Sequence, residues 1–156
     1  MAAGRIAGID FGTKRIGIAV TDPERILASP WAVWQRTENL ADEAEYFRRL
    51  VADEGIQLFV VGLPVHLSGD ESRQSHQART FGAWLGDVTG IPVTYFDERY
   101  SSSQAESLLG QAELTRQKRK LRRDMLAAQI LLTAYLESGS PDTAHQAPIE
   151  GESREL

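Results

Sequence analysis

Between Gln57 and Leu63 the chain runs through Leu58-Phe59-Val60-Val61 without a polar side chain and then breaks at Gly62-Leu63-Pro64. A short continuous apolar run bounded by a turn signal reads as a strand that is buried on both faces. Such a strand belongs in the middle of a sheet, parallel to a neighbour and covered by helices above and below. The remainder of the chain must supply those partners.

Arg5–Asp10 and Ile16–Asp22 are apolar, β-branched runs joined by Phe11-Gly12-Thr13-Lys14-Arg15, the pattern of two strands and a tight turn. Ile26–Val33 supplies a third strand, which Pro30 confines to an edge or a bulge. Asn39–Glu54 sets Leu40, Ala44, Phe47, Leu50 and Val51 at helical spacing opposite Asp42, Glu43, Glu45, Arg48 and Arg49. A second helix is predicted from about Ser72 to Val88, stopped by Gly90, and a further strand over Ile91–Phe96. Ser101 with Gln104, or Ser103 with Glu106, offers a capping-box start to a helix ending near Gly110. Gln111–Arg123 reads as a polar, basic connection, and Asp124–Glu137 as a well-buried last helix. The order β-β-β-α-β-α-β-α-α is an antiparallel start followed by βαβ crossovers, and it predicts an α/β fold: a mixed five-stranded sheet flanked by helices.

At 156 residues and 42% hydrophobic content the chain has room for one domain, expected over residues 1–137. Residues 138–156 lose nearly all large apolar side chains and are expected to form a disordered acidic tail. The net charge of −5 divides unevenly: 16 basic and 18 acidic residues in 1–137, one basic and four acidic beyond. An acidic whole therefore leaves room for a basic stripe that binds phosphate. There is no cysteine, which excludes disulfides, thiol nucleophiles and cysteine-held metals and fits a cytoplasmic address. No window has the length of a spanning helix, and no apolar opening suggests a signal peptide.

Three carboxylates fall at element ends beside polar or glycine-bearing loops: Asp10, Glu98 and Asp124. Ends of neighbouring central strands converge, and a helix lying across the sheet brings its first turn to the same edge. Three such groups cannot all stay ionised at close range without a counter-charge, and hard oxygen donors in a wet cleft suit Mg²⁺ or Mn²⁺. Each also has a plainer account: Asp10 as a turn former, Glu98 paired with Arg99 or Lys118, Asp124 as the N-cap of the last helix.

Arg116, Lys118, Arg119, Lys120, Arg122 and Arg123 form the only dense basic run and immediately precede Asp124. Cations there would ring the carboxylates where a polyanion's phosphates must come, although a charge run is by default a solvated face. His66, His76 and His145 have no metal-ligand spacing. No GxSxG, Walker A or GxGxxG pattern occurs, whereas Asp10-Phe11-Gly12-Thr13 has the character of a phosphate-contacting turn.

Gly8-Ile9-Asp10-Phe11-Gly12-Thr13-Lys14-Arg15-Ile16-Gly17-Ile18-Ala19 with Asp22, Val61-Gly62-Leu63-Pro64 with Gly69, Asp97-Glu98-Arg99-Tyr100-Ser101-Ser102 with Ala105 and Glu106, and Asp124 with Ala127-Ala128-Gln129-Ile130-Leu131-Leu132 together resemble the bacterial YqgF/RuvX family. That resemblance implies a ribonuclease-H-like fold, kinship with the Holliday-junction resolvase RuvC, and a nuclease that matures the 5′ end of pre-16S ribosomal RNA. It implies Asp10, Glu98 and Asp124 as the metal-binding catalytic set. Gly12, Thr13, Lys14, Arg15, Arg99, Arg119, Lys120, Arg122 and Arg123 are expected to meet the substrate, with RNA favoured over branched DNA and the chain a monomer or weak homodimer. Two rivals belong to other classes. An actin- or hexokinase-like ATPase also begins with Asp-x-Gly-Thr but needs two such domains, and a non-catalytic RNA-binding adaptor would bind without cutting.

Overall fold

The computed structural model describes residues 4–64, 73–98 and 116–139. Five strands form one sheet: β1 (Arg5–Asp10), β2 (Arg15–Thr21), β3 (Ala28–Gln35), β4 (Ile56–Leu63) and β5 (Val93–Asp97), in the spatial order β3-β2-β1-β4-β5. The hairpin β1–β2 is antiparallel, with Ile9 opposite Ile18 and Asp10 opposite Gly17. β4 lies parallel to both β1 and β5, the position its unbroken apolar run demanded.

Side-chain alternation divides the sheet into two unlike faces. Ala7, Ile9, Ile16, Ile18, Val20, Phe59, Val61 and Leu63 point to one side, where they pack with Phe47 and Leu50 of α1 (Leu40–Glu54) and Ala78, Phe81 and Leu85 of α2 (Arg73–Thr89). Ile6, Ala19, Val60 and Phe96 point to the other, under Ala128, Leu131, Leu132 and Tyr135 of α3 (Arg116–Glu137). Burying roughly ten large side chains on the first face, at about 1.5–3 kcal/mol each, makes that layer the main source of cohesion. The second face carries small residues so that α3 can lie close. A Cβ on Gly8 would stand 2.9 Å from Leu132 Cβ, and one on Gly17 would collide with the backbone carbonyl of Asp124.

The helix ends follow ordinary capping chemistry. The Asn39 side chain accepts from the backbone N–H groups of Ala41 and Asp42, and Gly55 closes α1 in a left-handed conformation at φ 67°. Gly90 ends α2, its N–H donating to the Gly86 carbonyl. Pro30 lies on an edge strand and at an irregularity: Ile18 pairs with Ala32 and Ala19 with Pro30, which leaves Trp31 extra.

Three elements start two or more residues away from expectation. β3 starts at Ala28 because the Asp22 carboxylate accepts from the N–H groups of Ile26 and Leu27 and holds them in the turn. β5 starts at Val93, after Pro92 has given its carbonyl to Phe59 N–H. The last helix begins at Arg116, so most of the stretch read as a basic connection is helical and Asp124 sits in its third turn, not at its N-cap. Residues 116–123 contain neither Gly nor Pro, and Arg, Lys, Gln and Leu propagate a helix well. Their lack of an apolar stripe concealed it. The helix expected between Ser101 and Gly110 and the tail from residue 140 lie outside the described residues. Among the described residues no helix is long and apolar enough to cross a membrane.

Candidate active site

The β1–β2 turn, the ends of β4 and β5, the first turns of α2 and the third turn of α3 enclose a cleft of about 460 Å³. Asp10, Glu98 and Asp124 all line it, with Phe11, Gly12, Thr13, Lys14 and Arg15 along one wall and Pro64, Gln74 and Gln77 along another. Asp10 arrives as the last residue of β1, and Glu98 follows the last residue of β5. They lie on either side of the end of β4, whose Gly62 leaves room for Glu98: a Cβ there would stand 2.9 Å from Glu98 Cγ and closer still to a carboxylate oxygen. Asp124 reaches the same edge because Gly17, the partner of Asp10 in the ladder, has no side chain to hold α3 off.

Burial pushes the Asp10 carboxyl well above the usual carboxylate range, and the neighbouring charges of Glu98 and Asp124 push it further. Burial likewise raises Glu98, against a hydrogen bond from Asp10 that favours its ionised form, with the Asp97 charge adding to the rise. The hydrogen bond between the two carboxyls raises Asp10 and lowers Glu98, the directions expected of a pair that shares one proton. Asp124 is engaged differently. Arg15 Nε donates to its Oδ2 at 2.7 Å, and both side chains are about one-fifth exposed. Among the described residues no three His, Asp or Glu side chains stand together as a ready-made metal cage. Arg15 occupies the third carboxylate.

The turn is tightly built. A Cβ on Gly12 would meet the Arg15 carbonyl at 2.5 Å, and the Lys14 carbonyl accepts from the backbone N–H of Arg36 beyond β3. Thr13 and Lys14 are exposed at its tip. Arg122 and Arg123 are exposed on α3 directly before Asp124. Arg119 and Lys120 belong to the same helix, with their side chains outside the described set, and Arg99 and His66 lie outside the described residues altogether. His76 is exposed on α2. Pattern reading overlooked Gln74 and Gln77, which two exposed positions on a helix do not announce, and the pairing of Arg15 with Asp124, for which no local signal exists.

A central parallel strand, an antiparallel hairpin on one side of it, helices on both faces and acidic residues gathered at one sheet edge define a ribonuclease-H-like fold. Thermus thermophilus RuvC has the same architecture, with a TM-score of 0.54 at 14% identity over 88% of this chain and 98% of that one. The same protein in complex with Holliday junction substrate gives 0.51 at 16% identity, over 89% and 98%. The family model RuvX, described as a Holliday junction resolvase, matches residues 4–138. The chain belongs to the RuvX family. A relative from Rhodopirellula baltica is 45% identical over 137 residues, covering 88% of this chain and 79% of its own length, and one from Dictyoglomus thermophilum is 37% identical over 139, covering 89% and 99%. Both carry the name "Putative pre-16S rRNA nuclease".

Proposed function

We propose that this chain is a divalent-metal-dependent nuclease that hydrolyses phosphodiester bonds in precursor 16S ribosomal RNA, with Asp10, Glu98 and Asp124 as its catalytic carboxylates. The observation that carries the reading is the pair Asp10–Glu98: two half-buried carboxyls side by side in the lining of a cleft, with a third carboxylate, Asp124, lining it too. Such a pair is unfavourable as a structural device, since burial and mutual repulsion both oppose its ionisation. It makes sense as a ligand set. Hard oxygen donors left short of positive charge fit Mg²⁺ or Mn²⁺, and Asp124 joins them once Arg15 releases it. A divalent ion bound by Asp10, Glu98 and Asp124 would supply an activated water and neutralise charge on the phosphate.

This chain's own groups do the positioning. Gly12 keeps the turn tight, Thr13 and Lys14 present a hydroxyl and an ammonium to the strand, and Arg15 exchanges the Asp124 carboxylate for a phosphate oxygen as substrate enters. Arg122 and Arg123, exposed on α3, are assigned to the phosphate backbone, and Arg99, Arg119 and Lys120 are assigned the same role from the sequence. The names carried by the relatives support RNA as the substrate, and an RNA-processing role together with a cysteine-free sequence supports a cytoplasmic address.

The deciding experiment sets the purified protein, with Mg²⁺ and with Mn²⁺, against single-stranded precursor rRNA and a four-way DNA junction side by side. Metal-dependent cutting of the RNA is the expected result. Cutting of the junction alone would transfer the assignment to branched DNA, and cutting of neither would leave an RNA-binding adaptor.

A further inference from the structure

Next to the carboxylate cleft lies a second cavity of about 500 Å³, bounded by the β1–β2 turn, the end of β3, the start of α1 and the near side of α2. Phe11, Thr13 and Gln77 line both spaces, so the two share a wall. Its volume falls in the roughly 300–1,000 Å³ range of sites that hold small ligands.

The lining is aromatic and firmly held. Phe11 and Phe81 stand 4.9 Å apart between centroids, and Phe81 and Trp84 5.6 Å. The Arg36 guanidinium lies over Phe11 at 5.0 Å and over Phe81 at 5.7 Å. It is fixed there by two hydrogen bonds to Glu43, of 3.0 and 2.9 Å, and Glu43 is fully buried and also accepts from Trp34 Nε1 at 2.9 Å. A buried pair of this kind contributes little net stability over an apolar substitute. What it achieves here is to hold a planar cation and two rings in a set arrangement beside Asp10. Around the rim, Arg73, His76 and Thr80 are exposed on α2.

We propose that this cavity receives one unstacked nucleobase of a single-stranded RNA whose neighbouring phosphate lies in the carboxylate cleft. The inference rests on the nuclease reading above and names its substrate class: a strand with a base free to leave the stack. Aromatic rings and arginine planes are the surfaces on which unpaired bases stack. The imidazole of His76 and the hydroxyl of Thr80 suit the polar edge of a base, and Arg73 complements the charge of an adjoining phosphate. The shared wall puts the base one step along the chain from the reacting phosphate. A base in a duplex would first have to unpair and unstack, so a single strand is the favoured substrate.

The test uses a single-stranded oligoribonucleotide that the wild type cleaves, with one abasic residue placed at successive positions, and measures its binding to Asp10→Asn protein, which leaves it uncut. At one position beside the scissile phosphate, loss of the base should weaken binding about tenfold. In the Asp10→Asn, Trp84→Leu double variant the same abasic substitution should have no further effect, and with Trp84→Phe most of the sensitivity should return. Thr80→Glu, an exposed change that leaves the core untouched, should weaken binding of the intact RNA by placing a carboxylate at the rim. An abasic effect equally large in Trp84→Leu, no sensitive position, or an unchanged affinity in Thr80→Glu would overturn the inference while leaving the nuclease reading intact. Failure of the wild type to cleave any RNA would remove that reading, and this one with it.

Discussion

The carboxyl of Asp10 is the side chain on which folding and chemistry pull in opposite directions. Folding raises its pKa, so the metal-free fold is most favoured with this group protonated, below about pH 4, and loses that contribution as the pH rises through the raised value. Asp10→Asn keeps the shape and removes the charge. In the presence of a chelator the variant should melt at a higher temperature than the wild type at neutral pH, with the gap closing towards pH 4, while cleavage in Mg²⁺ falls below detection. A variant that melts lower than wild type throughout, or one that still cuts, would contradict the role given to Asp10. The position of Asp10 was legible because an apolar, β-branched run stops there, and that of Glu98 because it follows another. The hydrogen bond between them was not, since the pairing depends on β1 and β5 flanking the same central strand, a fact of sheet order that neither segment contains.

For the elements, the decisive contact is α3 on the β1–β2 hairpin. Gly17→Ala would drive a methyl group into the Asp124 carbonyl, and the helix must shift or the hairpin bend. Overpacking of this type costs about 1–3 kcal/mol. The expected outcome is a lower urea midpoint together with a loss of cleavage larger than the unfolded fraction explains, because Asp124 moves with the backbone that is displaced. Equal urea midpoints and equal rates would show that α3 is not held by this approach. The apolar face of α3 from Leu126 onward could be read from its spacing, and its first two turns could not. Arg116, Lys118, Arg119 and Lys120 carry no apolar stripe in the sequence, and without one there is no periodicity to detect.

On the scale of the whole molecule, charge is distributed against the net value. A protein of net charge −5 exposes Arg122 and Arg123 on the helix that carries Asp124 into the cleft, and the preceding turn of that helix adds Arg119 and Lys120. If all four meet phosphates, changing them together to Gln should reduce the slope of log affinity against log salt for single-stranded RNA by about 0.7 each, about 3 in total. Affinity should fall alike for all sequences, since backbone contacts position without specifying. Superimposable salt plots, taken with Ca²⁺ in place of Mg²⁺, would mark the run as solvated surface. The central, parallel place of β4 and the helices on both faces followed from one continuous apolar strand and the βαβ rhythm around it, whereas the full strand order did not.

The cleft is lined by the first strand and by the last described helix. A ribosome delivers the amino-terminal part of a chain first. On the function proposed above, a nascent copy with α3 still in the exit tunnel has Asp10 but no Asp124, and its cutting edge stays unassembled. The cleft is therefore completed only when the last described helix has folded back onto the first hairpin.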